Sequence, residues 1–175
     1  LTALVLLAVC FTGCGKSGGS IEAVQQKEEL YSMVVFSKGS EYFNWTYAGF
    51  SDAAKAMGAH IKTELVGPAE VDAAAEAKAL EQLIAKKPNG IVVTSADSNT
   101  LIPSINKAIG AGIPVVGFDV GSPDSNYLGY VGTDNYSFGC VAADIAAELT
   151  GGKGEVAVLY VPGNVDLEKR LKGFK

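Results

Sequence analysis

From residue 30 onwards, short apolar runs alternate with longer stretches that have the spacing of amphipathic helices. The apolar runs predict strands at residues 31–36, 60–66, 91–94, 113–118, 127–132 and 154–161. Strands that alternate with helices form βαβ units, with right-handed crossovers and a parallel sheet. The sequence therefore predicts an α/β fold: a doubly wound parallel sheet covered by helices on both faces.

The helices between these strands have recognisable starts. One apolar stripe runs through residues 43–57, and Pro68 is predicted to open the second helix. Residues 101–112 are predicted to form the third helix, and Asp134 to cap the fourth. The stripe of the fourth helix, which is expected to face the core, consists of Phe138, Val141, Ala142, Ile145 and Leu149.

In folds of this kind, ligands bind beyond the carboxyl ends of the strands. The segments that follow predicted strands, and so form the predicted binding edge, are 37–43, 94–98, 119–126 and 161–170.

These segments contain side chains suited to a polyhydroxylated ligand. Tyr42 and Phe43 present flat faces that can stack on a sugar ring, although Phe43 suits the core equally well because it heads the helix stripe. Asp119 directly follows a buried strand, and a carboxylate there can accept two hydroxyl hydrogen bonds. The alternative for Asp119 is a turn former. Asn135 is expected to begin a helix rather than contact ligand.

The amino-terminal stretch indicates export. Leu1 to Phe11 has the length of a signal-peptide apolar region, and Thr12-Gly13 before Cys14 resembles the bacterial lipobox, in which the cysteine is lipidated. The rival interpretation is a phosphate-binding loop ending in residues 15–17, but the glycine needed at position 10 is a cysteine. We therefore expect an incomplete signal peptide at 1–13 and a lipid-anchored tether at 14–29.

Charge and composition exclude several classes of function. A net charge of −5 argues against nucleic acid, which favours a basic face. The chain has one histidine, no His/Cys cluster with metal-ligand spacing and no intact nucleotide-binding turn. We expect a protein that is not an enzyme and has no cofactor.

Three stretches carry a family resemblance. Residues 113–139, "IPVVGFDVGSPDSNYLGYVGTDNYSFG", closely resemble type I periplasmic sugar-binding proteins, the ribose/galactose-binding family that serves ABC transporters. Residues 42–58 are similar to the aromatic pair and first helix of that family, and residues 90–115 to its third and fourth βα units. The carboxyl-terminal "EKRLKGFK" resembles its R-x-x-G-F signature.

The resemblance implies a set of ligand-binding residues: Tyr42 and Phe43 as stacking aromatics, Thr94 in place of a ligand-contacting Asn, Asp119 as the ligand carboxylate, and Arg170 as the second-lobe arginine. Val120 stands where ribose binders often have Arg, and Phe36 occupies a position that is polar in them. These departures argue against ribose itself as the ligand.

The resemblance also implies the organisation of the protein. We expect an N-terminal ligand-binding lobe at 30–153, and a crossover strand with the truncated start of a second lobe at 154–175. The expected function is capture of a monosaccharide or related polyol for ABC permease subunits, by a monomer anchored by lipid in the periplasm or at the cell surface. The alternatives are a chemotaxis or signalling receptor, and the ligand lobe of a sugar-responsive transcription repressor.

Overall fold

The computed structural model describes residues 26–175; the predicted signal peptide and Cys14 lie outside the described residues. The strands are β1 (Glu29–Val34), β2 (Ile61–Val66), β3 (Gly90–Val93), β4 (Val115–Phe118) and β5 (Tyr130–Val131). The helices are α1 (Glu41–Met57), α2 (Ala73–Lys86), α3 (Ser98–Gly110), α4 (Asn135–Thr150) and α5 (Val165–Phe174).

The five strands form one parallel sheet in the order β2-β1-β3-β4-β5. This order confirms the predicted doubly wound α/β fold, because the chain moves outward in one direction from β1 to β2 and in the other from β3 to β5. The first five predicted strands are present with shifted bounds, and the fifth is reduced to two residues.

Helices cover both faces of the sheet, because successive residues of a strand point to opposite sides. Met33 and Val35 share one buried cluster with Phe43 of α1. Val34 between them belongs to the opposite cluster, together with Leu80 of α2 and other apolar residues of α2 and α3. Right-handed crossovers on the two sides of β1 require this division.

The prediction that Pro68 opens the second helix is wrong. Asp72 caps α2, and its side chain accepts a hydrogen bond from the Ala75 N–H at 2.9 Å. The carbonyls of Pro68 and Ala69 instead accept hydrogen bonds from the Lys38 and Gly39 N–H groups, at 2.8 and 2.9 Å. The proline segment therefore supports the loop after β1, and the helix starts one turn later.

The predicted sixth strand at 154–161 is also wrong: these residues are exposed and belong to no strand. Their side chains have the apolar, β-branched character of a strand, but a strand forms only where a neighbour pairs with its backbone groups. The five-stranded sheet of the described residues does not include this segment.

The apolar stripe of the fourth helix does not face the core of the sheet. Phe138, Val141, Ile145 and Leu149 are between 49% and 82% exposed. Helix α4 packs instead against α5, with close backbone contacts at Gly139 of α4 and Gly173 of α5. A Cβ atom at Gly139 would lie only 2.1 Å from the Arg170 carbonyl oxygen, so glycine is required for this backbone contact.

Candidate functional site

Asp119 is the centre of the polar groups at the carboxyl edge of the sheet. It directly follows β4 and has a φ of 56°, a left-handed conformation that is uncommon outside glycine. The Tyr42 hydroxyl donates to its Oδ1 at 3.1 Å, and the Thr94 hydroxyl donates to its Oδ2 at 3.5 Å. Three predicted site residues thus lie together: Thr94 and Asp119 directly after β3 and β4, and Tyr42 in the first turn of α1.

Thr94 is fully buried and links two neighbouring loops. Besides its contact with Asp119, its hydroxyl oxygen accepts the Val120 N–H at 3.2 Å. The loops after β3 and β4 are also joined by the Ser95 and Ser122 hydroxyls at 2.8 Å. Thr94 therefore fixes the backbone that carries Asp119.

Burial raises the pKa of Asp119 above its ordinary value, and the charge of Asp166 adds to this effect. The hydrogen bonds from Tyr42 and Thr94 and the charge of Arg170 act in the opposite direction and lower it. The pKa of the Tyr42 hydroxyl is raised by burial and by the charge of Asp119. The site therefore disfavours bare negative charge on Asp119 and favours additional hydrogen-bond donors beside it.

Arg170 approaches the same place from α5. Its Nε and Nη2 both donate to the Asn135 Oδ1, at 2.8 and 2.6 Å, and its guanidinium lies 4.5 Å from the centre of the Phe138 ring. Asn135 is buried, and its Nδ2 donates to the Thr133 carbonyl at 3.2 Å. These contacts fix one side of the guanidinium. Its Nη1 makes no hydrogen bond to the described residues.

Asp119 and Arg170 both line a polar cavity of about 240 Å³, whereas Tyr42 and Thr94 are not among its lining residues. Asp119 and Val120 line one side, and Asn135, Asn164, Asp166 and Arg170 line the other. Carboxylate acceptors and a guanidinium donor therefore face one space. That arrangement suits a ligand whose hydroxyl groups both donate and accept hydrogen bonds.

The two predicted aromatics lie in different environments. Tyr42 is 55% exposed, whereas Phe43 is 2% exposed and packs edge-on against Phe36 and Phe118. The Tyr42 and Phe43 rings are 5.2 Å apart, so Phe43 supports Tyr42 from beneath. Phe43 is a core residue, and its contact with ligand stays a prediction.

Three residues near Asp119 and Arg170 were not predicted from the sequence as site residues: Asn135, Asp166 and Tyr130, whose hydroxyl donates to the Asp119 carbonyl oxygen. Asn135 was expected only to begin a helix, which it does, but its side chain also holds Arg170. Asp166 lies in the first turn of α5, where acidic residues are common for helix-dipole reasons, so its type gave no functional signal. Tyr130 belongs to a strand too short to show alternation.

The polar side chains around the cavity are two carboxylates, two amides, one threonine and one guanidinium. The single histidine, His60, precedes β2 and so lies at the amino edge of the sheet, opposite Asp119.

Between residues 26 and 175, no group of three His, Cys, Asp or Glu side chains is placed to hold a metal ion. Within the same residues, no helix combines the length and apolarity that crossing a membrane requires.

Comparison with known proteins gives consistent matches. The family model described as periplasmic binding protein domain matches residues 31–175. The D-ribose/D-allose-binding protein of Pseudomonas aeruginosa is 28% identical over 185 residues, and the match covers 98% of this chain and 57% of that protein.

Solved structures agree with this match. A sugar-binding protein of a sugar ABC transporter from Bacillus halodurans is 42% identical, with a TM-score of 0.77, over 85% of this chain and 50% of that one. AraP, an arabinose binding protein from Geobacillus stearothermophilus, is 37% identical with a TM-score of 0.74, over 84% and 50% of the two chains. The chain thus spans about half the length of the relatives it matches.

Proposed function

The chain belongs to the periplasmic binding protein family, and on that premise we propose that it captures a monosaccharide or related polyol for an ABC sugar importer. The ligand is held between two lobes and passed to permease subunits, and no bond in it is made or broken. The protein acts as a monomer outside the cytoplasmic membrane.

The observation that carries this proposal is the convergence of Asp119, Tyr42 and Arg170 on one polar edge. The Asp119 carboxylate accepts from Tyr42 on Oδ1 and has further lone pairs for ligand hydroxyls. Charge-assisted hydrogen bonds of this type fix the orientation of a polyol more strongly than neutral ones. The relatives' names, which include ribose, allose and arabinose, support a small sugar as the ligand.

Each predicted site residue has a role in this proposal. Asp119 and Arg170 bind ligand hydroxyls from opposite sides of the cavity, and the exposed ring of Tyr42 packs against the sugar ring. Thr94 holds the Asp119 loop in place, and Phe43 supports Tyr42. Val120 lines the cavity as an apolar wall, a position where an arginine would add further donors.

We also propose that the second lobe begins at α4 rather than at residue 154. Helix α4 packs against α5, and the β5–α4 connection, residues 132–134, runs beside the cavity at Thr133. The first lobe then ends with β5, and the cavity lies at the junction of the two lobes. Hinge closure across such a junction is a general way to trap a ligand.

The proposed location depends on Cys14, which lies outside the described residues. Cleavage before this cysteine and its lipidation would anchor the protein to a bacterial membrane without a spanning helix. Radiolabelled palmitate fed to cells tests this: the wild-type chain takes up label and Cys14→Ala does not. Equal labelling of the two chains would remove the lipid anchor from the proposal.

The sugar-binding proposal is tested on the full-length protein with a thermal-shift panel of pentoses, hexoses, polyols and nucleotides. We expect a sugar or polyol to raise the melting temperature and Asp119→Ala to abolish the shift without unfolding the protein. Asp124→Ala is the matched control, because Asp124 is exposed in the same loop and is not among the residues lining the cavity. A shift with nucleotides alone, or unchanged binding in Asp119→Ala, contradicts the proposal.

A further inference from the structure

Asp166 is a buried carboxylate whose position is not explained by its own helix. It lies in the first turn of α5 and is 6% exposed. The cap of α5 is Asn164, whose Oδ1 accepts the Asp166 and Leu167 N–H groups at 3.2 and 3.0 Å. The free N–H groups at the helix start therefore already have a side-chain partner, and Asp166 is not needed as a cap.

The Asp166 side chain reaches instead to the loop after β4, whose residues Asp119 and Val120 line the cavity. Its Oδ2 accepts the Gly121 N–H at 3.4 Å and lies 3.3 Å from the Tyr130 hydroxyl. Gly121 is two residues beyond Asp119, and the Tyr130 hydroxyl also bonds the Asp119 carbonyl oxygen. The Asp166 carboxylate on α5 thus contacts both the loop that carries Asp119 and the neighbouring strand β5.

The two donors that contact Asp166 differ, because the Tyr130 hydroxyl also contacts Asp119. Tyr130 has one hydroxyl hydrogen and two nearby acceptors, the Asp119 carbonyl and Asp166 Oδ2, so it donates to one at a time. The other oxygen of Asp166, Oδ1, lies 3.8 Å from Lys169 Nζ on its own helix. Gly121 N–H is therefore the donor that Asp166 does not share with Asp119, and it links α5 directly to the loop backbone.

We propose that Asp166 is a positioning residue that bridges the two sides of the cavity, joining α5 to the Asp119 loop through Gly121 and Tyr130. The bridge slows the opening of the cavity and so the release of ligand. The statement about ligand release depends on the sugar-binding function proposed above; the bridge itself depends only on the contacts described.

The experiment uses the full-length protein and a sugar from the panel above, with stopped-flow measurement of association and dissociation. Asp166→Ala is expected to release sugar about tenfold faster, since one hydrogen bond to a charged group is worth at least that factor, with association changed by less than about twofold. Asp166→Asn keeps an acceptor for Gly121 N–H and is expected to restore most of the slow release. Asp124→Ala in the same loop is expected to match wild type.

A second measurement needs no ligand. A double-mutant cycle of Asp166→Ala and Tyr130→Phe in urea unfolding measures whether the two side chains interact, and we expect their effects to be non-additive. If wild type binds no sugar, the proposed function fails, and the cycle alone decides whether the bridge exists. Additive effects, or equal sugar release by Asp166→Ala and Asp124→Ala, would overturn the proposal.

Discussion

The buried side chain of Glu76 provides a test of how burial changes a pKa and, through the pKa, the stability of the protein. It lies on α2, is 0% exposed, and accepts the Ala96 N–H on Oε2 at 3.0 Å, while its Oε1 is buried and has no hydrogen-bond partner among residues 26–175. Burial raises its pKa from 4.5 to about 8, and the Ala96 hydrogen bond lowers it only in part. Glu76 is thus mainly protonated at neutral pH, beneath the loop that carries Thr94.

The replacement Glu76→Gln removes this titration while keeping the size of the side chain and an acceptor for Ala96. Because the folded-state pKa is raised, the folded state is favoured most at low pH, and stability is lost as the pH rises from the unfolded value of 4.5 to about 8. The free energy of unfolding falls by about 2 to 3 kcal/mol between about pH 5 and pH 7, and by about 3 to 4 kcal/mol between about pH 5 and pH 8.

The assay is urea unfolding followed by circular dichroism, at several values between about pH 5 and pH 8. Near pH 5 the folded forms of both chains are neutral at this position, and their free energies of unfolding are expected to differ by less than about 1 kcal/mol. Near pH 7, Glu76→Gln is expected to be more stable by about 2 to 3 kcal/mol, because it carries no buried ionisable group.

Glu81→Gln on the same helix is the matched control. Glu81 pairs with Lys107, whose hydrogen bond holds the Glu81 pKa below its ordinary value. A lowered pKa gives stability that is lost only as the pH falls through the acidic range, so this variant is expected to follow the wild-type pH profile across neutrality. Parallel profiles for wild type and Glu76→Gln would refute the reasoning, since they would mean that Glu76 is solvated or paired.

Two further predictions concern the cavity. Tyr42→Phe removes the hydrogen bond that lowers the Asp119 pKa, so in calorimetric titrations at decreasing pH the variant should lose sugar affinity at a higher pH than wild type; an unmoved midpoint would contradict this. Arg170→Lys should weaken sugar binding by about tenfold or more, because an ammonium cannot reproduce the fork held by Asn135 and the stacking on Phe138. Lys172→Ala, at an exposed position on the same helix, is its control, and an equal effect of the two changes would count against the role of Arg170.

Much of the site could be predicted because parallel strands end at a common edge. Once residues 31–36, 91–94 and 113–118 were recognised as strands, Tyr42, Thr94 and Asp119 had to lie near one another. The structure confirms that they do, through hydrogen bonds to the two oxygens of Asp119. Arg170 came only from the family resemblance, since a single basic residue on a helix has no distinguishing pattern.

The errors have one physical origin. Residues 154–161 and the stripe of α4 are apolar in the right periods, but periodicity shows which side of an element is apolar and not which element covers it. Pro68 is permitted at a helix start, yet its carbonyl is used by the loop after β1, a contact between distant positions. In each case the residues set the local preference, and the outcome depended on whether an element elsewhere in the described chain pairs with them or packs on them.

The sequence by itself determined the parallel sheet, its two apolar faces and the polar residues at the ends of β1, β3 and β4, because strand period and right-handed crossovers leave little choice. Only the tertiary structure decided that α4 packs on α5, that Asn135 holds Arg170, and that Asp166 reaches Gly121 and Tyr130. Those contacts join residues 35 to 45 positions apart on separate elements. Their formation depends on the angle and distance between packed helices, which no local pattern of residues encodes.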